Sequence, residues 1–105
     1  EYGYLLDPHT AVAVSAFFKF MNDAYDEASA VILSTANPYK FPQSVLEAVS
    51  EQKETDAFKA IKKLEMLTGA EIPEGIAELK NKPVLHDKVV EIKDIEDAVL
   101  SAVNA

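Results

Sequence analysis

The feature that most constrains this chain is its first helix-forming segment. Asp7-Pro8 opens it: Asp is a good N-cap, and Pro suits the first helical position because its missing N–H would be unpaired there anyway. From His9 to about Met21, the apolar residues Val12, Phe17, Phe18, Phe20 and Met21, with Ala11, Ala13 and Ala16, nearly encircle the predicted helix, and Asn22-Asp23 is its stop. A helix apolar on most sides is buried on most sides. A chain of 105 residues has the size of one small domain and buries only roughly two-thirds of its unfolded surface. This helix needs more cover than one modest core supplies. The expectation is that residues 1–105 form a single segment of something larger. The start at Glu1, without an initiating Met, points the same way, to a processed chain or an excised fragment.

The rest of the pattern is sparsely punctuated, with five Pro and three Gly. Ala30-Val31-Ile32-Leu33-Ser34-Thr35 is an apolar, β-branched run closed by Asn37-Pro38. It is too short for an ordinary helix and does not alternate, which is the pattern of a strand covered on both faces in a parallel sheet. A helix is predicted from Phe41-Pro42 to about Val49, with Val45, Leu46 and Val49 on one face. After a polar loop from Ser50 to Thr55, Asp56 to Leu67 reads as an amphipathic helix with Phe58, Ile61, Leu64 and Leu67 inward and Gly69 as its stop. A short helix follows Ile72-Pro73 through about Leu79, and Lys82-Pro83 ends it. Val89-Val90-Glu91-Ile92 is the second predicted strand, and Asp94 caps a last helix striped by Ile95, Val99, Ala102 and Val103. The fold class is therefore α/β, helix-rich, with about two parallel-type strands. Two such strands do not make a stable sheet on their own, which again implies missing neighbours.

Composition removes several functions. The ten basic residues, all lysine, stand against eighteen acidic ones, for a net charge of −8. That balance argues against a nucleic-acid partner, which needs a basic face to neutralise phosphates. There is no Cys, so no disulfide framework, zinc knuckle or thiol nucleophile. The two histidines, His9 and His86, are too far apart to suggest a metal cluster, and the scattered Gly3, Gly69 and Gly75 make no phosphate loop. No apolar run approaches the roughly 20 residues of a bilayer span, and no signal peptide is visible. The expected location is the cytoplasm, with no membrane partner.

The sharpest local feature is Ser34-Thr35-Ala36-Asn37-Pro38-Tyr39-Lys40-Phe41. In parallel α/β sheets, ligands bind just beyond the carboxyl ends of the strands, and two hydroxyls fall there. On spacing alone, Ser34 and Thr35 either satisfy backbone groups of their own loop or face a ligand.

These residues resemble the S-T-A-H-P-x-K-F segment of the threonine synthase family. Upstream, Gly3-Tyr4-Leu5-Leu6-Asp7-Pro8-His9-Thr10-Ala11-Val12 resembles that family's G-Y-x-x-D-P-H-T-A-V segment. The two motifs occur in the family's order, and a looser likeness continues through Lys82-Pro83 to the closing strand and helix. The resemblance covers most of the chain and places it at the enzyme's C-terminal end. It implies the fold of the tryptophan-synthase β-like enzymes, which use pyridoxal 5'-phosphate (PLP). It also implies an activity in the parent polypeptide, conversion of O-phospho-L-homoserine and water to L-threonine and phosphate. The Schiff-base lysine and the loop that holds the cofactor phosphate would lie upstream, outside this chain, so the segment by itself is expected to be inactive. By the motif match, Thr35 is the cofactor-binding residue whose hydroxyl faces the pyridine nitrogen. The resemblance assigns no catalytic residue here.

One position departs from the family pattern: Asn37 stands where the family often has His. Asn hydrogen-bonds but does not titrate near neutral pH, so it can orient a loop but cannot shuttle a proton. His9, at a helix start that favours anions, is either an active-site contact or a capping and packing residue, Asp7 already holding the cap. Lys40 and the Lys62-Lys63 pair read as solvated, and Tyr2, Tyr4, Tyr25 and Tyr39 as packing residues. His86 carries no readable signal. Two rival readings stand beside the resemblance: a segment of another PLP enzyme of the same fold, and a free-standing acidic interaction module whose apolar first helix is a binding surface. For the chain alone, its uncovered apolar faces predict self-association.

Overall fold

The computed structural model describes residues 3–24 and 29–104. Within them lie five α-helices: α1 (Pro8–Ala24), α2 (Pro42–Ser50), α3 (Ala57–Thr68), α4 (Glu74–Ala77) and α5 (Ile95–Val103). Short 3-10 turns at Pro38–Lys40, Glu78–Asn81 and Ile92–Asp94 precede α2, extend α4 and lead into α5.

Local chemistry accounts for these boundaries. Asp7 caps α1: its Oδ1 accepts from the backbone N–H groups of His9 at 2.9 Å and Thr10 at 3.2 Å, two of the donors a helix start leaves open. Pro8 and Pro42 sit at the first positions of α1 and α2. Asp56 caps α3 in the same way, accepting from Phe58 N–H at 2.9 Å and Lys59 N–H at 3.0 Å. Gly69 then closes α3 with φ +68°, and its N–H donates to the Glu65 carbonyl at 2.8 Å. Glu51 closes α2 with φ 59°, a left-handed conformation that is strained for a residue with a side chain. Asp94 holds the N-cap position of α5, but its side chain makes no capping bond.

The core is small and built on the α2–α3 hairpin. Tyr39, Val45, Ile61 and Leu64 form its buried cluster, and Leu5, Phe41, Ala70, Ile72 and Ile76 pack around it. Leu46 and Ala60 are buried as well. The inward face of α3 is thus Ala60, Ile61 and Leu64, whereas Phe58 and Leu67, expected on the same face, are exposed at its margins. Loop contacts brace the hairpin: Glu54 accepts from Lys63 Nζ at 2.7 Å and from Asp56 N–H at 3.2 Å, and Gln43 Nε2 donates to the Thr55 carbonyl at 2.6 Å.

Two expectations from the sequence can be compared with the structure. The first is the pair of strands. Among the described residues there is no strand: Ala30–Thr35 and Val89–Glu91 have no regular secondary structure, and Ile92 begins a 3-10 turn. Val31 is 90% exposed and Val89 93%. A strand exists only by pairing with a neighbour, and no ladder partner is supplied here. The second is the cover of the first helix, which this chain is not expected to supply in full. The helix forms as predicted, yet Val12, Phe18 and Phe20 are exposed, and Thr10 is its buried residue. The stripe of α5 is likewise uncovered at Ile95, Val99 and Val103. The accessible surface of 8825 Å² compares with about 5,800 Å² for a compact monomer of 11.5 kDa. The radius of gyration, 18.7 Å, compares with about 13 Å for a compact chain of this length. The structure is helix-rich and open, with apolar surface facing outward from α1 and α5.

Candidate functional site

The two sequence motifs meet in space. Asp7, at the start of α1, is 1% exposed. Besides the two backbone N–H groups, its carboxylate accepts a hydrogen bond from the Thr10 hydroxyl at Oδ2. Ser34 arrives from the apolar run, 24 residues on from Thr10 and 27 from Asp7, and places its Oγ 3.3 Å from Thr10 Oγ1 and 3.5 Å from Asp7 Oδ2. The same Oγ reaches the Ala36 carbonyl at 3.5 Å. Asp7 and Thr10 are both buried, and every polar side-chain atom buried among the described residues has a partner. The Thr10 hydroxyl, followed by the backbone N–H groups of Thr10 and His9 and by the His9 ring, holds the Asp7 carboxyl below its ordinary value, against the opposing effect of desolvation. Asp7 is therefore an anion at neutral pH and acts only as an acceptor.

A second contact lies alongside the first. The His9 ring packs against Phe41 with centroids 5.0 Å apart and planes inclined by 59°, an edge-tilted aromatic pair. Its Nδ1 is 3.3 Å from Asp7 Oδ1. His9 is thus engaged in cap and packing contacts, although its side chain remains largely exposed.

Asn37 and Tyr39 set the far side of the loop. Asn37 Oδ1 accepts from the Tyr39 N–H at 2.9 Å and so caps the 3-10 turn that leads into α2. This is an orienting role that an amide performs as well as any titrating group. Tyr39 is buried, and its hydroxyl donates to the Ala70 carbonyl beyond α3. Burial raises the Tyr39 pKa above that of a free phenol, an effect opposed by Thr68 and assisted by Glu65.

Thr35 lies between these anchors. Its side chain is exposed and makes no hydrogen bond to the described residues. Lys40 is exposed, as expected. Lys62 and Lys63 pair with Glu65 and Glu54 on α3 and its preceding loop. One groove of about 430 Å³ runs between α3 and α4 over Phe58, Ile61, Ile72 and Ile76, and another of about 460 Å³ lies beside Leu5, Pro8, Val45 and Val49. Among the described residues there is no group of acidic or imidazole side chains able to hold a metal, and no helix is long and apolar enough to cross a membrane.

The sequence alone does not reveal the Asp7–Thr10–Ser34 contact. A signal was available, since all three residues belong to the two motifs, but their spacing along the chain does not reveal that they touch. The family model described as "Threonine synthase, C-terminal" matches residues 10–103. No solved structure matches the chain.

Proposed function

The chain belongs to the threonine synthase family, in its C-terminal part, and from that premise we propose that it works as the segment of the enzyme that contributes Thr35 to the cofactor site. On this reading the whole polypeptide converts O-phospho-L-homoserine and water to L-threonine and phosphate in the cytoplasm, and the segment by itself is inactive.

The observation that carries the proposal is the meeting of the two motifs around a buried carboxylate. Asp7 and Thr10 hold Ser34, and the next residue presents an exposed hydroxyl without an internal partner among the described residues. A hydroxyl that is anchored nearby and still free to donate fits one polar contact to a ring nitrogen. When bound, PLP supplies an electron sink whose strength depends on the group facing that nitrogen. Thr35 donates there as a neutral hydroxyl. Unlike a carboxylate, it does not enforce protonation of the ring, which suits a moderate sink for eliminations and replacements along a side chain. Asn37 and the buried Tyr39 hold the loop beyond Thr35.

The test uses the full-length polypeptide that carries this chain. The expected results are phosphate release from O-phospho-L-homoserine by the parent protein, a weaker PLP affinity with slower turnover for Thr35→Val, and near-parental behaviour for Thr35→Ser. A parent protein that releases no phosphate would overturn the activity. Unchanged PLP affinity and turnover in Thr35→Val would remove Thr35 from the site.

A further inference from the structure

We infer that Asp7, Thr10 and Ser34 form a positioning device for Thr35, in which the N-terminus of α1 fixes the loop that presents the cofactor-facing hydroxyl. The inference rests on the reading of Thr35 given above and extends it to three residues that act through their contacts with its loop.

The argument begins with what holds the loop upstream of Thr35. Within this chain no strand ladder is present among the described residues, and Val31 and Leu33 are exposed, so the side-chain contacts of Ser34 are what tie the end of the apolar run to α1. Ser34 provides the attachment, through Thr10 Oγ1 and Asp7 Oδ2. The attachment point is rigid because Asp7 is tied at both oxygens: Oδ1 takes the His9 and Thr10 backbone N–H groups and Oδ2 takes the Thr10 hydroxyl. Thr10 has one hydroxyl proton, and Asp7 receives it. That leaves the Thr10 oxygen as the acceptor facing Ser34, whose proton then has two acceptors in reach at the start of α1, Thr10 Oγ1 and Asp7 Oδ2, beside the Ala36 carbonyl of its own loop. The carboxylate charge strengthens both hydroxyl contacts. Downstream, Asn37 caps the turn and Tyr39 is anchored in the core. Thr35 is thus suspended between two fixed points, and the upstream one is this network.

The test is a double-mutant cycle on the full-length polypeptide, read by direct titration of PLP binding from its absorbance, with kcat and KM measured in parallel. Ser34→Ala leaves the core untouched because Ser34 is exposed. It is expected to raise the PLP Kd by about threefold to tenfold, the range of one net hydrogen bond, and to change it by less than about twofold in a Thr35→Val background, the signature of a residue acting through its neighbour. Thr10→Val is expected to weaken PLP binding to a similar extent, with Thr10→Ser restoring it. An equal factor for Ser34→Ala in both backgrounds would overturn the positioning role while leaving Thr35 in the site. So would an unchanged Kd in Ser34→Ala, or a Thr10→Ser as impaired as Thr10→Val. If Thr35→Val itself leaves the Kd unchanged, the cofactor reading of Thr35 falls, and the positioning inference falls with it.

Discussion

Leu64→Ala tests whether the α2–α3 hairpin is the stabilising unit of this chain. Leu64 is fully buried in one cluster with Tyr39, Val45 and Ile61, so it shares its core with the residue that seats the site loop. Truncation removes apolar carbons at about 0.8 kcal/mol per methylene and leaves a cavity that the small core closes only in part. Together these effects amount to about 2–5 kcal/mol. Even the lower figure is a large share of the roughly 5–15 kcal/mol available to an ordinary domain, and this chain buries less than an ordinary domain. The assay is urea denaturation followed by helical circular dichroism, with Met66→Ala as the control on the same helix. Met66 is 78% exposed, so its truncation is expected to shift stability by less than about 0.5 kcal/mol. Leu64→Ala is expected to move the midpoint far below the parent, or to abolish the cooperative transition. Equal midpoints for Leu64→Ala and Met66→Ala would refute the packing argument and place the core elsewhere.

Other perturbations have expected signs. Asp7 and Glu54 are both held below their ordinary pKa values, Asp7 first by the Thr10 hydroxyl and Glu54 first by Lys63. Their contribution is therefore present above the unfolded carboxylate range of about 4 and lost as pH falls through the lower folded values. Denaturation midpoints measured from pH 7 downward are expected to fall in that acid range, and Glu54→Gln is expected to flatten the profile. A profile unchanged by Glu54→Gln would dismiss the Lys63 pair as a contributor. Gly69→Ala places a side chain at φ +68° and is expected to destabilise by about 1–2 kcal/mol. Glu51→Gly relieves the same conformation at φ 59° and is expected to shift the melting temperature upward. The reverse pair of signs would contradict the left-handed caps. The chain alone, with α1 and α5 uncovered, is expected to self-associate in light scattering, and a clean monomer at high concentration would refute that.

Asp56 and Gly69 bound α3 by chemistry confined to a few neighbouring residues, and Asp7-Pro8 starts α1 in the same way. Such features are legible because a cap or a left-handed stop depends only on nearby backbone. The motif positions were legible too, through their likeness to a family. The strands were not, although Ala30–Thr35 and Val89–Ile92 carry the right residue types, because pairing depends on a partner that the segment itself does not encode. Cover is a different matter: the apolar circumference of α1 states a demand that a chain this short is not expected to meet, and the tertiary arrangement shows that the α2–α3 hairpin leaves most of it unmet.

The sequence by itself thus determined the helices, the boundaries set by Asp7-Pro8, Asp56 and Gly69, and the place of the hydroxyl-bearing loop, since each follows from interactions a few residues apart, whereas α1 runs to Ala24, past the stop expected at Asn22-Asp23. Only the tertiary structure decided that Asp7, Thr10 and Ser34 meet and that His9 lies against Phe41. Those contacts depend on where the chain returns after more than twenty residues, and that path is set by the packing of the core.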